Sequence, residues 1–158
     1  MSLPQVLDHA GIAARIPHHG AMCLLDRLLG WDAGEIRCSA ISHADPGNPL
    51  RGADGLLSPC AIEYAAQAMA LHGALAAAPG VAPTAGFLAS ARQVRLFVPR
   101  LDDAPGPLLV HAVRLAGDTQ QALYRFALHA DDGTLLVDGR ATVVLNSPLP
   151  DPSAKPGP

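Results

Sequence analysis

Alternation of apolar and polar side chains predicts that much of the chain forms β-strands. Over residues 35–42, the apolar Ile36, Cys38 and Ala40 share one parity, and polar side chains occupy the positions between them. A period of two is typical of a strand with one buried face. Further strands are predicted over residues 22–31, 86–98, 108–115, 122–130 and 134–145. A turn at residues 32–34 joins the first two strands of the chain into a hairpin.

One long apolar segment, residues 58–78, predicts a helix that is buried nearly all round. Ser58 is the expected N-cap, and Pro59 occupies the first helical position. Pro79 and Gly80 are expected to end the helix, because neither residue continues a helix well. A central helix of this kind needs other elements packed on every side.

The remaining segments complete a single-domain α+β fold. A short helix is predicted over residues 3–15, and residues 44–57, rich in Gly, Pro, Asn and Asp, are predicted to form a long loop. A sheet of about five or six strands wrapped around one central helix buries the apolar faces of both, which is the hotdog architecture. We therefore expect one hotdog domain over residues 1–145 and a disordered, Pro-rich tail over residues 146–158.

Composition and charge exclude several classes of protein. Hydrophobic residues make up 49% of the 158-residue chain and charged residues 16%, which is enough apolar content for a packed core. A net charge of −3 provides no broad basic field for nucleic acid, and the N-terminus shows no export signal. The three cysteines match neither a disulfide framework nor a zinc motif. We predict a cytoplasmic protein with no metal site and no membrane insertion, because Glu63, Gln67 and His72 interrupt the long apolar helix.

Glu63 and Gln67 are the main candidates for chemistry on the predicted helix. A carboxylate is costly to bury without partners, which indicates a role in a site, although a structural Glu paired with an arginine is the alternative. The two side chains lie one turn apart on the same face, near the positive end of the helix dipole. The amides of Cys60, Ala61 and Ile62, at the start of the helix, are expected to be free to bind a carbonyl or an oxyanion.

A histidine is the usual acid–base partner of a carboxyl group near neutral pH, and the chain has seven histidines. His43 is the predicted catalytic histidine because it follows a strand and opens the long loop before the helix. His18 and His19, in a bend before the first strand, are the alternatives. His72 lies on the opposite side of the helix from Glu63, which indicates packing or a dimer contact. The other histidines are expected to be structural or solvated.

Two longer motifs stand out, IPHHGAMCLLDRLLGWDAGEIRCSAIS over residues 16–42 and IEYAAQAMALHGAL over residues 62–75. They resemble the N-terminal half and the helix motif of the FabZ-like 3-hydroxyacyl-[acyl-carrier-protein] dehydratases, in which a Gln follows a Glu by four residues. The fuller pattern, with HxDPxNPLR and GFLASxRxVRLxVPRLDD, is most similar to the dehydratases of aryl-polyene and xanthomonadin pigment clusters. One segment departs from the family, because residues 48–52 read NPLRG where those enzymes carry a catalytic His in Gly-His-Phe-Pro-Gly.

The resemblance implies reversible dehydration of a 3-hydroxyacyl thioester to a trans-2-enoyl thioester on an acyl-carrier protein, without a metal or redox cofactor. It implies that His43 removes the α-proton, that Glu63 protonates the leaving hydroxyl, and that the amides at the helix start polarise the thioester carbonyl. Gln67 and His19 are expected to contact the substrate. In that family the His and the Glu come from different subunits. A homodimer is therefore expected, and a heterodimer with a second hotdog subunit is the alternative.

Two other functions are compatible with the same sequence. A hotdog thioesterase would use Glu63 as nucleophile or general base without His43. A non-catalytic subunit would bind a carrier protein or complete a heterodimer with an active dehydratase, which suits the missing Gly-His-Phe-Pro-Gly segment. Arg92, Arg95 and Arg100 are candidate contacts for the carrier protein or its phosphopantetheine arm. Their spacing predicts that Arg92 and Arg95 lie on opposite faces of a strand.

Overall fold

The computed structural model describes residues 5–77 and 87–144, which form one antiparallel sheet and two α-helices. The helices are α1 (His9–Ala13) and α2 (Ala61–Ala76). The strands are β1 (Arg27–Trp31), β2 (Glu35–Ala40), β3 (Phe87–Leu96), β4 (Leu108–Gly117), β5 (Gln121–His129) and β6 (Leu135–Val144). They form a 6-stranded sheet in the order β1-β2-β4-β5-β6-β3, in which every neighbouring pair is antiparallel. This is the predicted α+β architecture.

The hydrophobic core lies between α2 and the inner face of the sheet. On β5, Tyr124 and Phe126 are buried, and Arg125 between them is exposed, as the period of two predicts. Tyr64 and Met69 of α2 belong to the same buried cluster. Each large apolar side chain that is fully buried in this way contributes roughly 1.5–3 kcal/mol to the free energy of folding. The packing fixes the position of α2, which carries the candidate site.

The helix predicted over residues 3–15 is much shorter in the structure. Asp8 accepts a hydrogen bond from the Gly11 amide at 2.9 Å and caps α1, so within the described residues the helix begins after Asp8. Leu7 instead forms an isolated bridge with Leu28, which joins the N-terminal segment to β1. The start of this helix is therefore set by the capping side chain of Asp8, a polar residue within the apolar pattern that predicted a longer helix.

The strand predicted over residues 22–31 begins only at Arg27, because residues 20–22 form a 3-10 turn. The strand predicted over residues 35–42 corresponds to β2. Ala44 is the last residue of a 3-10 turn, and residues 45–57 contain no further helix or strand element. This agrees with the predicted long loop. This loop runs from the end of β2 to the start of the central helix.

The central helix starts one turn later than predicted. Residues 58–60 form a 3-10 turn, and α2 begins at Ala61, so the assignment of Ser58 as the N-cap of the α-helix is wrong. No side-chain cap bonds to the first turn of α2. The predicted helix end at residues 79–80 and the predicted tail over residues 146–158 lie outside the described residues.

A β-bulge in β3 places Arg92 and Arg95 on the same face of the sheet. Arg92 opposes Arg140 of β6, and Arg95 opposes Asp138, two residues away on the same face of that strand. The register shifts between Arg92 and Arg95, where Gln93 has φ 53°. Because a bulge inserts one residue into a strand, it inverts the parity of the residues beyond it. The prediction of opposite faces is therefore wrong.

His72 joins α2 to β5 and to the turn after β1. Its Nδ1 atom lies 2.6 Å from Tyr124 Oη, and its Nε2 atom lies 2.7 Å from the Asp32 carbonyl oxygen. A carbonyl only accepts, so Nε2 donates to Asp32, and Nδ1 of the neutral ring accepts from the tyrosine hydroxyl. The ring is buried, and this burial lowers the pKa of His72 below its ordinary value of 6.5. These contacts agree with the predicted packing role.

We expect the free energy of unfolding to decrease as the pH falls below about 6.5, because the unfolded chain binds a proton at His72 before the folded chain does. The contribution of His72 is complete above that pH and is lost as the pH falls toward the lowered pKa. Its slope is at most about 1.4 kcal/mol per pH unit. Urea unfolding of wild type and His72→Gln at a series of pH values measures the effect. The same pH dependence in both proteins contradicts the assignment.

Candidate active site

Glu63 lies in the first turn of α2 and is hydrogen-bonded to His18. His18 Nε2 lies 2.9 Å from Glu63 Oε1, and the two side chains are 26% and 33% exposed. The pair is therefore reachable from the surface. The other ring nitrogen of His18, Nδ1, is buried and has no hydrogen-bond partner among the described residues. The chain thus brings together a carboxylate and an imidazole, a combination suited to proton transfer.

The surroundings of Glu63 favour its ionised form. The hydrogen bond from His18 lowers the pKa of Glu63 below its ordinary value of 4.5 and outweighs the burial that raises it. A second hydrogen bond, from Gln67 Nε2 at 3.4 Å, acts in the same direction. Glu63 is consequently a carboxylate at neutral pH, and as an acceptor it fixes the orientation of the histidine ring.

Gln67 ties the segment that carries His18 to α2. Its Oε1 atom accepts from the Leu24 amide at 2.9 Å, and its Nε2 atom donates to the Met22 carbonyl at 2.7 Å. Both backbone partners lie just after His18 in the chain, so one buried side chain holds the histidine segment and also contacts Glu63. The predicted placement of Glu63 and Gln67 on one helix face is confirmed. Both polar atoms of the Gln67 amide have protein partners.

His43 lies three residues after the end of β2, in a 3-10 turn that opens the long loop, and it is only 1% exposed. Its Nε2 atom lies 3.1 Å from the Ala104 carbonyl oxygen, and Nδ1 has no hydrogen-bond partner among the described residues. Within this single chain, His43 therefore contacts the backbone of the segment after β3, whereas Glu63 contacts His18. The structure of the single chain does not bring His43 to Glu63.

A polar network around Tyr64, the neighbour of Glu63, attaches the loop over residues 44–57 to α2. Ser42 Oγ lies 2.8 Å from Tyr64 Oη, and Asn48 Nδ2 donates to the same hydroxyl at 3.1 Å. Asn48 also donates to the Ser42 carbonyl at 2.9 Å. Burial raises the pKa of Tyr64, so its hydroxyl stays protonated at neutral pH. The network holds the start of the loop against the helix that carries the candidate site.

The amides at the helix start are only partly available. The Cys60 amide donates to the Leu57 carbonyl at 3.0 Å, and the Ala61 amide donates to the carbonyls of Ser58 and Pro59. The 3-10 turn before α2 supplies these acceptors. The expectation that both amides are free is therefore wrong for this conformation. Burial also raises the pKa of the Cys60 thiol, which keeps it protonated.

The other predicted contacts, His19 and Ile62, lie next to His18 and Glu63 in the chain. The His19 side chain is exposed, and Ile62 packs against the core. Their contact with a substrate stays a prediction. In residues 5–77 and 87–144, no group of three His, Cys, Asp or Glu side chains is placed to hold a metal ion. No helix in the same residues is both long and apolar enough to cross a membrane.

Asp102 fixes the far end of the loop by contacting two arginines. Arg51 Nη2 lies 3.3 Å from Asp102 Oδ2, and Arg100 Nε lies 3.1 Å from Asp102 Oδ1. The Leu56 amide also donates to Oδ1, at 2.9 Å. The Asp102 side chain is 4% exposed, and Arg100 holds the pKa of this carboxyl well below its usual range. The cluster joins two sequence motifs, NPLR and VPRLDD, on either side of α2 in the chain.

Sequence reasoning named His18 only as an alternative and missed the role of Asp102. The signal for His18 is its place in the IPHH motif, a few residues before the backbone groups that Gln67 binds. The signal for Asp102 is the Arg-Leu-Asp-Asp order after β3, which places a carboxylate two residues from an arginine. Neither signal identifies the distant residue that each side chain contacts, which is Glu63 for His18 and Arg51 for Asp102.

The family comparison covers nearly the whole chain. The sequence model of the family described as ApeP-like, ApeP dehydratase, matches residues 10–153. No curated protein sequence matches the chain significantly.

Solved structures share the architecture. The dehydratase heterocomplex ApeI:P from Xenorhabdus doucetiae is similar with a TM-score of 0.77 at 23% identity, over 86% of this chain and 91% of that one. Thioesterase HI1161 from Haemophilus influenzae is similar with a TM-score of 0.60 at 13% identity, over 95% and 98% of the two chains. The PaaI protein of the E. coli phenylacetic acid degradation operon reaches 0.55 at 13% identity, over 86% and 88%. These likenesses confirm the predicted hotdog fold.

Proposed function

The chain belongs to the ApeP-like family of dehydratases, and we propose that it converts 3-hydroxyacyl thioesters to trans-2-enoyl thioesters with release of water. The observation that supports this reaction is the His18–Glu63 pair, 2.9 Å apart at the start of the central helix. Elimination of water needs a base that takes the α-proton and an acid that protonates the leaving hydroxyl. An imidazole next to a carboxylate can do both in turn.

We propose that neutral His18 takes the proton from C2 of the acyl chain. The C2–H electron pair then forms the C2–C3 double bond as the C3–O bond breaks. The imidazolium returns the proton to the departing oxygen, which leaves as water. His18 is thereby restored, and the reaction needs no external oxidant or reductant. The Nδ1 atom of His18 is buried and unpartnered within the described residues, so its lone pair is free for a group that enters the site.

Glu63 stabilises the imidazolium in this scheme. A carboxylate hydrogen-bonded to the ring favours the protonated histidine and holds the ring in one orientation, as in other acid–base pairs with an orienting carboxylate. The resemblance to FabZ-like enzymes implies that Glu63 is the proton donor. The lowered pKa of Glu63 favours the stabilising role instead, because an ionised carboxylate has no proton to give.

A second arrangement uses His43 as the base. In it, His43 of one subunit acts with Glu63 of another, as the resemblance implies. The buried His43 ring, whose Nδ1 atom has no partner among the described residues, supports this alternative. The two arrangements differ in which histidine is needed for proton transfer, so substitution of each histidine separates them.

We propose that the acyl group is presented by an acyl-carrier protein and that the chain functions as a dimer. The solved structure ApeI:P, which shares the fold, is a dehydratase heterocomplex. That assembly supports a heterodimer with a second hotdog subunit, and the homodimer is the other form that we propose. Ile62 and His19 stay in this proposal as substrate contacts, because they adjoin Glu63 and His18 in the chain, whereas the amides of Cys60 and Ala61 are already bonded within the 3-10 turn.

The reaction is tested by incubating the purified chain with a 3-hydroxyacyl carrier protein and following the intact mass of the acylated carrier. Loss of one water supports the dehydratase. Loss of the whole acyl group would identify a thioesterase and overturn the proposal. No change would indicate a non-catalytic subunit that completes a heterodimer. Sedimentation of the same sample measures the oligomeric state, for which a dimer is expected.

A further inference from the structure

Three arginines form a row across the outer face of the sheet, away from α2. Arg92 of β3 is directly opposite Arg140 of β6, and Arg140 is directly opposite Arg125 of β5. All three side chains are exposed, and all three lie on the face opposite the buried core. Neighbouring strands are about 4.8 Å apart, so the backbones of the outer two arginines are separated by about 10 Å.

These arginines make no polar contact with the rest of the described chain. Among the described residues, Arg92, Arg125 and Arg140 have no hydrogen-bond or ion-pair partner. Every other arginine contacts a carboxylate or a backbone carbonyl. Like charges directly opposite one another destabilise a sheet. A protein with a net charge of −3 nevertheless places three cations side by side, and residues 5–77 and 87–144 give none of them a counter-ion.

A concavity of about 420 Å³ lies over two arginines of this row, and Arg125 is not part of its lining. Arg92 and Arg140 line it, together with Ser90, Gln93 and Thr142, whose hydroxyl and amide groups are hydrogen-bond donors. No Asp or Glu lines it. The β3 bulge at Gln93 shapes this part of the sheet edge, and bulges often redirect side chains next to binding sites. The volume is in the range of small-molecule sites.

We propose that this concavity, the arginine-row site, binds a small molecule that carries two neighbouring phosphate groups. Guanidinium groups bind phosphate oxygens through paired hydrogen bonds, and the hydroxyl and amide groups of Ser90, Thr142 and Gln93 supply further donors. A diphosphate provides two to three negative charges over a few ångströms, which matches adjacent arginines spaced by one strand. The ligand supplies the counter-charge that the chain lacks.

The grouping of the donors favours a small ligand over a protein surface. An acidic protein partner contacts a broad patch through many side chains, whereas here the donors line one shallow concavity that is open to solvent. Two flanking groups, Arg95 and Asp138, already neutralise each other and do not extend the charge. The arginine-row site lies on the face of the sheet opposite α2, and the proposal does not depend on the reaction at Glu63.

The probe is inorganic pyrophosphate, titrated into the full chain at low salt and followed by calorimetry. Arg140 is central to the row, so Arg140→Gln is expected to weaken binding about tenfold or more, the effect of losing a charge-assisted hydrogen-bond pair. The same substitution is expected to raise the melting temperature without ligand, because it removes the repulsion within the row. Arg37→Gln is the matched control, since Arg37 lies on the same outer face but is paired with Glu35.

Pyrophosphate binding to wild type and Arg37→Gln, with weakened binding to Arg140→Gln, supports the proposal. The melting temperature of Arg140→Gln verifies that the variant is folded. No binding to wild type at millimolar pyrophosphate overturns the proposal, and so does equal binding to all three proteins. Binding of an acidic carrier protein that depends on Arg140, without binding of pyrophosphate, also overturns it and assigns the face to a protein partner.

Discussion

Glu63→Gln lowers the rate of dehydration by about 10²- to 10⁴-fold, the range expected for loss of a group in an acid–base pair. Glutamine keeps the shape of the side chain and can still bond to His18 and Gln67, but it carries no negative charge to stabilise the imidazolium. The rate is measured by single-turnover mass spectrometry of the acylated carrier protein, in the assembly that shows activity. Circular dichroism verifies that the variant is folded.

Glu35→Gln is the matched control for this substitution. Glu35 lies 3.1 Å from His111 Nε2, and these side chains are 34% and 33% exposed, close to the values for the Glu63 pair. The control removes a carboxylate from a histidine partner on the outer face of the sheet, away from the candidate site. Its rate is expected to equal that of wild type. A Glu63→Gln rate equal to that of Glu35→Gln contradicts the role of Glu63.

Asp102→Asn lowers the free energy of unfolding by about 1.5–3 kcal/mol, the contribution expected of hydrogen bonds to a charged group. The arginine partners are 28% and 38% exposed, so the substitution leaves no fully buried charge. The asparagine can still accept from the Leu56 amide, but it leaves Arg51 without its counter-charge and Arg100 with only the exposed Asp103. Urea unfolding near neutral pH measures the loss. Because the pKa of Asp102 is lowered, its contribution is present above its ordinary value of 3.8 and is lost as the pH falls further.

Asp103→Asn is the control, because the neighbouring Asp103 side chain is 71% exposed and lies 3.7 Å from Arg100. Exposed ion pairs contribute little, so this variant is expected to change stability by less than about 1 kcal/mol. Equal stability losses in the two variants would show that Asp102 is not a buried anchor of the loop. Such a result would also remove the explanation for how the NPLR and VPRLDD motifs act together.

The sequence contains enough information to predict the order of elements and the face of α2 that carries Glu63. Burial alternates along the whole of β5, so its buried face is readable directly. Ser39 interrupts the alternation in β2, and a register shift between Arg114 and Ala116 interrupts it in β4. Glu63 and Gln67 are neighbours by helix geometry alone, since residues four apart share a face. These two polar side chains mark that face without reference to the rest of the chain, whereas His72, the third polar side chain, lies on the opposite side of the helix.

The partner of Glu63 depends on contacts between distant segments. His18 is 45 residues away in the sequence and is held near Glu63 because Gln67 binds the backbone at Met22 and Leu24. No local sequence pattern shows that His18, and not His43, is the histidine that contacts Glu63. The shared face of Arg92 and Arg95 was unpredictable for a similar reason, because a bulge depends on pairing with β6. The 3-10 turn before α2 likewise displaced the helix start beyond the capping serine.

The comparison of His18→Gln with His43→Gln tests the central claim, that the His18–Glu63 pair carries the proton in dehydration. Single-turnover rates are measured for both variants on the same 3-hydroxyacyl carrier protein and normalised to the folded fraction from urea unfolding. A loss of about 10²-fold or more is expected for His18→Gln, and a rate within about threefold of wild type is expected for His43→Gln. A large loss for His43→Gln with a near-normal rate for His18→Gln would contradict the central claim and assign the base to His43.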